Sequence, residues 1–125
     1  MTEDQGRILL VDDDRQTRLK LARDLEDGGY AVSQADGGRA ALDMLQSEPF
    51  DLVLLDILMP EVDGYAVLAE MKADETMHDI PVVVVSAVES PENVEKCMRM
   101  GAKDYLTKPV DATTLNACVS KCLGG

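Results

Sequence analysis

Five short runs of strand character alternate along this chain with stripes of helical period. The runs are Ile8–Val11, Tyr30–Gln34, Leu52–Leu55, Pro81–Val85 and Asp104–Leu106. Three of them carry ILLV, LVLL and VVVV, apolar on both faces, as in parallel strands covered by helices on each side. The stripes lie between. Leu21 and Leu25 recur four residues apart, and Gly28-Gly29 supplies a stop. Gly38–Gln46 carries Ala41, Met44 and Leu45, and Gly64–Lys72 carries Val67, Leu68 and Met71. Ser90 reads as an N-cap with Pro91 in the first helical position. Val94, Cys97 and Met98 form the stripe behind it, and Gly101 ends it. The fifth helix starts at Asp111 and buries Leu115, Cys118, Val119 and Cys122.

This (βα)5 order predicts an α/β fold, a doubly wound parallel five-stranded sheet with right-handed crossovers and helices on both faces. Alternation alone leaves the strand order open. A flavodoxin-like order 2-1-3-4-5 would put ligands at the carboxyl ends of strands 1 and 3. The 125 residues make one domain, 1–125, with its core from about residue 6 to about residue 123.

Composition narrows the partners. A net charge of −12 argues against a nucleic-acid or anionic-membrane surface and suits a cation or a basic partner. A hydrophobic content of 46% excludes a disordered tail. No apolar stretch approaches the ~20 residues of a membrane span. Residues 1–7, MTEDQGR, lack the character of a signal peptide. Three cysteines without metal-motif spacing suggest reduced thiols and a cytoplasmic setting. Cys118 and Cys122 share a stripe with Leu115 and Val119, which makes them core thiols rather than a metal pair. His78, the only histidine, lies in the polar stretch ADETMHDIP, away from the helix face a phosphotransfer histidine needs.

The acids change the picture most. Asp12 and Asp13 follow ILLV, and Asp56 follows LVLL. Both runs end at the same edge of a parallel sheet, so three carboxylates converge there. Two like charges ~5 Å apart repel by about 3 kcal/mol at an effective dielectric near 20. Acids that merely cap strands and helices need no such cluster, and a cluster persists where a divalent cation or a basic residue neutralises it. Oxygen-only ligands favour Mg²⁺, which shares its sphere with phosphate. Asp14 fits instead as a helix cap. Ser86 follows VVVV and offers a hydroxyl. Lys108-Pro109 follows the last strand and brings a cation to the same edge. Together these groups suit a metal and a phosphoryl group around a carboxylate nucleophile.

These motifs resemble a known family. VDDD at 11–14, LLDILMP at 54–60, VVVVSA at 82–87 and GAKDYLTKP at 101–109 are similar to the receiver domain of two-component response regulators. Thirty residues separate Asp56 from Ser86 and twenty-two separate Ser86 from Lys108, as in that family. The resemblance covers essentially the whole chain and implies the 2-1-3-4-5 order. It implies that Asp56 is the phosphoacceptor, taking a phosphoryl group from a sensor histidine kinase or histidine phosphotransfer protein. It implies a Mg²⁺ (or Mn²⁺) ion on Asp13, on Asp12 largely through water, on Asp56 and on the backbone carbonyl of Leu58. Ser86 and Lys108 would contact the phosphoryl oxygens. Ser86 and Tyr105 would form the switch, with Tyr105 rotating inward, and the Lys108–Pro109 peptide bond would be cis. The output, to a downstream domain or protein or in a phosphorylation-dependent dimer, would pass through the face of helix 4, strand 5 and helix 5. The domain would catalyse its own phosphorylation and slow dephosphorylation, acting as a switch rather than a turnover enzyme.

Three other readings compete. A phosphohydrolase of the haloacid-dehalogenase type also has an Asp nucleophile after a strand, but wants a second Asp where Leu58 stands. A flavodoxin-type flavin site needs backbone donors where this chain has DDDR. A receiver fold used without phosphorylation, as a protein-interaction module, would not need the full set of acids, hydroxyl and lysine.

Overall fold

The computed structural model describes residues 6–59 and 63–124. The first five residues of MTEDQGR, and Pro60 of the LLDILMP motif, lie outside the described residues. The elements are β1 (Arg7–Val11), α1 (Arg15–Asp27), β2 (Ala31–Ala35), α2 (Gly38–Ser47) and β3 (Leu52–Leu55). They continue with α3 (Gly64–Ala73), β4 (Val82–Ser86), α4 (Pro91–Arg99), β5 (Asp104–Thr107) and α5 (Ala112–Cys122). All strand pairs are parallel, in the order β2-β1-β3-β4-β5.

The doubly apolar strands find a core on each face. Leu9, Val11, Val53, Leu55, Val82 and Val84 pack with Leu42 and Leu45 of α2, Val67, Leu68 and Met71 of α3 and Cys97 of α4. The alternate residues Ile8, Leu10, Leu52, Leu54, Val83 and Val85 pack with Leu21 and Leu25 of α1 and Leu115 and Val119 of α5. Burying such a side chain completely stabilises the fold by roughly 1.5–3 kcal/mol. The central strands β3 and β4 are buried along their whole length, whereas edge strand β2 exposes Ala31 and Gln34.

Helix starts follow the capping chemistry. Asp14, Asp63, Ser90 and Asp111 accept from the backbone N–H of Thr17, Ala66, Asn93 and Thr114. Pro91 occupies the first turn of α4, where its missing N–H costs nothing. Gly29, at φ +99°, and Gly101, at φ +106°, turn the chain after α1 and α4 in a conformation L side chains disfavour.

The structure departs from the sequence reading at strand ends and at partly covered helix positions: β1 starts at Arg7, β4 runs Val82–Ser86 instead of Pro81–Val85, and β5 extends to Thr107. The second strand begins at Ala31, one residue later than expected, and runs to Ala35. Met98 does not join the α4 stripe. It is 42% exposed, because α4 buries only Cys97 against the sheet. Cys122 is half-buried at the last turn of α5, and Leu42, not Met44, is the buried partner of Ala41 and Leu45 on α2. Among the described residues no helix is long and apolar enough to cross a membrane.

Candidate functional site

Strand register brings the acids together. Val11 pairs with Leu55, so the next residues, Asp12 and Asp56, leave the sheet side by side. The Asp56 N–H still donates to Val11 O at 3.0 Å. Ser86 pairs with Thr107, which delivers Lys108 to the same edge, and the Lys108 N–H donates to Ser86 O at 2.9 Å. Carboxylate oxygens of Asp12, Asp13 and Asp56 lie within 4.8 Å of one another. Asp12 and Asp56 are buried and Asp13 is exposed.

Lys108 is the cation of the cluster. Its Nζ donates to Asp12 Oδ2 at 2.7 Å and to Asp56 Oδ2 at 3.4 Å. The sharing is uneven, and the titration behaviour follows it. Burial pushes the Asp56 carboxyl above its ordinary value. Lys108, at the longer distance, pulls it back only in part, and the charge of Asp12 pushes it up further. Burial also disfavours the Lys108 ammonium. The Asp12 hydrogen bond and the two acidic charges outweigh burial, so the lysine is held above its ordinary value.

The backbone near Asp56 is fixed by close approach. Leu58 N–H donates to Asp56 Oδ1 at 3.2 Å, and Gly64 N–H donates to Ile57 O at 3.0 Å. A Cβ on Gly64 would sit 2.4 Å from Asp56 O and 2.5 Å from Ile57 Cα, so only glycine lets α3 start this close to the Asp56 loop. The Leu58 side chain is 57% exposed at the rim.

Ser86 and Tyr105 meet through Val88. Ser86 is fully buried, and its Oγ accepts from Val88 N–H at 3.2 Å. The Tyr105 hydroxyl donates to Val88 O at 2.5 Å and accepts from Asn93 Nδ2 at 2.6 Å. The Tyr105 ring is half-buried against the α2–α3–α4 core. Tyr105 is therefore docked on the β4–α4 loop in the unphosphorylated chain, the state from which the expected inward rotation would start. The Lys108–Pro109 peptide bond is cis. Asp14 caps α1 as expected. His78 lies in an exposed turn with Nδ1 3.1 Å from Asp79 Oδ1, away from these groups.

Two residues at the site were not legible in the sequence. Arg18 of α1 reaches back to the Asp12 carbonyl, and Asn93 of α4 reaches Tyr105. Each sits in the first turn of its helix, where a polar side chain ordinarily faces water. Only the one-turn offset from the caps Asp14 and Ser90 hints that they point back toward the sheet edge.

Oxygen-only donors at this spacing, one of them exposed, fit a hard divalent cation such as Mg²⁺. The sequence model of the response regulator receiver domain matches residues 8–120, and the chain belongs to that family. Such domains are phosphorylation-controlled elements of two-component systems. The chain is 42% identical over 123 residues to transcriptional regulatory protein ZraR of Escherichia coli (strain K12), covering 98% of this chain and 27% of that protein. It thus spans little more than a quarter of ZraR. It is 36% identical over 120 residues to protein PilH of Pseudomonas aeruginosa, covering 96% of this chain and 99% of PilH. The solved chemotaxis protein CheY4 of Vibrio cholerae superposes with a TM-score of 0.89 at 28% identity, covering 94% of this chain and 98% of CheY4.

Proposed function

We propose that Asp56 accepts a phosphoryl group from a phosphohistidine on a sensor histidine kinase or phosphotransfer protein. The observation that carries this reading is the convergence of Asp12, Asp13, Asp56 and Lys108 on one sheet edge. The Asp56 carboxylate attacks phosphorus and a P–O bond forms. The P–N bond breaks, its electron pair stays on the imidazole, and the product is an acyl phosphate. Asp12, Asp13, Asp56 and the Leu58 carbonyl are the proposed holders of Mg²⁺ (or Mn²⁺), which supplies charge neutralisation for the transferred group. Lys108, which already touches Asp12 and Asp56, would add a second positive charge for the transferred group.

Switching uses the Val88 link. Ser86 can donate to a phosphoryl oxygen by moving toward it, which strains its bond from Val88 N–H. Val88 O also anchors the Tyr105 hydroxyl, so the movement reaches Tyr105 and, through Asn93, α4. The face formed by α4, β5 and α5 then serves an output domain or protein, or a phosphorylation-dependent dimer. The domain promotes its own phosphorylation and slow dephosphorylation. Neither direct nucleic-acid contact nor membrane contact is part of this reading, which suits a cytoplasmic protein.

Acetyl phosphate with Mg²⁺ tests the reaction. Intact-mass spectrometry should find one phosphoryl adduct on the wild-type chain, and none in Asp56→Asn or after EDTA. An undiminished adduct in Asp56→Asn would place the chemistry elsewhere.

A further inference from the structure

We infer that Arg18 is a positioning residue for the acidic metal site, a role that rests on the reading of Asp12, Asp13 and Asp56 as cation ligands. Its guanidinium links three pieces of the fold. From α1, Nη1 donates to the main-chain O of Asp12 at 2.8 Å, and Nε donates to Gln34 Oε1 on β2 at 3.1 Å. Arg18 is half-buried, and two of its nitrogens are committed to this geometry.

Every other polar group of Asp12 is already tied. Its N–H donates to Ala35 O at 3.1 Å, Oδ1 accepts from Asp14 N–H at 2.9 Å, and Oδ2 accepts from Lys108. Arg18 supplies the remaining contact, to the carbonyl. That carbonyl belongs to the peptide between Asp12 and Asp13. Holding it fixes the peptide plane, and with it the direction in which the Asp13 side chain leaves the backbone. Asp13 needs this. It is exposed, and no hydrogen bond among the described residues orients its carboxylate. The next residue, Asp14, is fixed as the cap of α1 by the Thr17 N–H. Arg18 thus sets one side of the Asp13 backbone and the helix cap sets the other.

Charge and geometry predict opposite effects, which makes the role testable. Arg18 is a cation behind an acidic cluster. Removing its charge alone strengthens the attraction of the cluster for Mg²⁺. Removing its hold on the Asp12 peptide weakens Mg²⁺ binding, because the ion must then order the Asp13 backbone itself. Loss of an outer-shell partner ordinarily weakens a metal site about 10-fold or more.

Isothermal titration calorimetry with Mg²⁺ on the wild-type chain, Arg18→Ala, Arg18→Lys and Gln34→Ala decides between them, with Asp13→Asn as the reference for a broken site. Thermal melts without Mg²⁺ check that each variant folds. The expected result is about 10-fold weaker binding in Arg18→Ala. Arg18→Lys, which keeps the charge but cannot hold Asp12 O and Gln34 at once, should also bind more weakly. Gln34→Ala, which keeps the Asp12 contact but frees its anchor, should show a smaller loss and keeps the test open if Arg18→Ala does not fold. Equal or tighter binding in Arg18→Ala, or full affinity in Arg18→Lys, overturns the positioning role while leaving the metal site standing. A wild-type chain that binds no Mg²⁺, or an Asp13→Asn variant that binds as well as wild type, overturns the metal reading and this inference with it.

Discussion

The carboxyl edge of the sheet has two halves built on different terms. At the ends of β1 and β3, Asp12 has its N–H, its carbonyl and both carboxylate oxygens engaged, and Asp56 lies against a backbone packed too closely for any side chain on Gly64. On β4 and β5, the side-chain hydroxyls of Ser86 and Tyr105 are linked through the main chain of Val88, a half-buried loop residue, by one hydrogen bond each. The first half is held from three elements, while the second hangs on single hydrogen bonds worth about 0.5–1.5 kcal/mol each. Reaction geometry needs the first arrangement, because a displaced nucleophile or ligand loses rate steeply. A switch needs the second, because a difference of a few kcal/mol can be overturned by a new charge.

Ser86→Ala separates the halves most completely. The acids and Lys108 remain, so beryllofluoride, a phosphoryl mimic, should still shift amide resonances around Asp56. The wild-type response over residues of about 88–108 should largely disappear in the variant. Equal distal shifts in both proteins would show that the hydroxyl does not join the two halves.

A smaller effect is expected on the lifetime of the acyl phosphate. Leu58 stands two residues beyond Asp56 and Val88 two beyond Ser86, positions that the family resemblance places beside the hydrolytic water, and neither apolar side chain could orient that water by hydrogen bonding. Leu58→Asn combined with Val88→Glu should speed loss of phosphate about tenfold, which corresponds to roughly 1.4 kcal/mol in the barrier. Decay of the adduct, followed by mass spectrometry, measures it. Slower decay in the double variant would contradict the role given to these two side chains.

The smallest effect is on stability. Burial raises the Asp56 carboxyl above 3.8 in the folded chain. Between that ordinary value and the raised one, the folded state holds a proton the unfolded state has lost, so stability falls as pH rises through this window. Above it the ionised Asp56 is a standing cost. In Mg²⁺-free buffer at pH 7, Asp56→Asn should therefore be more stable than wild type, because it removes the buried charge that burial disfavours. The gap should close as pH falls toward 3.8. Urea titrations at several pH values report it, and a variant less stable than wild type at pH 7 would mean that Lys108 outweighs burial.

The parts of the fold legible in the sequence are those where one physical demand dominates. ILLV, LVLL and VVVV announce strands buried on both faces, and they are the three central strands of the sheet. Strand ends shift by a residue in edge and central strands alike, β2 starting at Ala31 and β4 running Val82–Ser86, because an end is set by pairing with neighbouring strands and not by the apolar run alone. Met98 lies off the buried stripe for a tertiary reason: α4 has the expected helical period, but how much of the sheet it covers depends on packing and not on its own sequence. The strand order came from the resemblance, since alternation is the same for several orders. The acids were legible because a charge ending an apolar run has few structural uses. Arg18 and Asn93 were not, because their partners are a carbonyl and a hydroxyl brought near only by the packing of α1 and α4 on the sheet edge.

The uneven grip of Lys108 has a consequence in time. Its ammonium lies 2.7 Å from Asp12 and 3.4 Å from Asp56, so following a new negative charge asks only for a small displacement of one side chain. Side-chain motion of this kind takes picoseconds to nanoseconds, whereas rearranging a loop and a helix takes microseconds to milliseconds. Charge at the site would be compensated long before the outer surface changes shape. Brief encounters that fail to leave a covalent mark would then relax unseen, and only a phosphoryl group that outlasts the slower motion would be passed on as a signal.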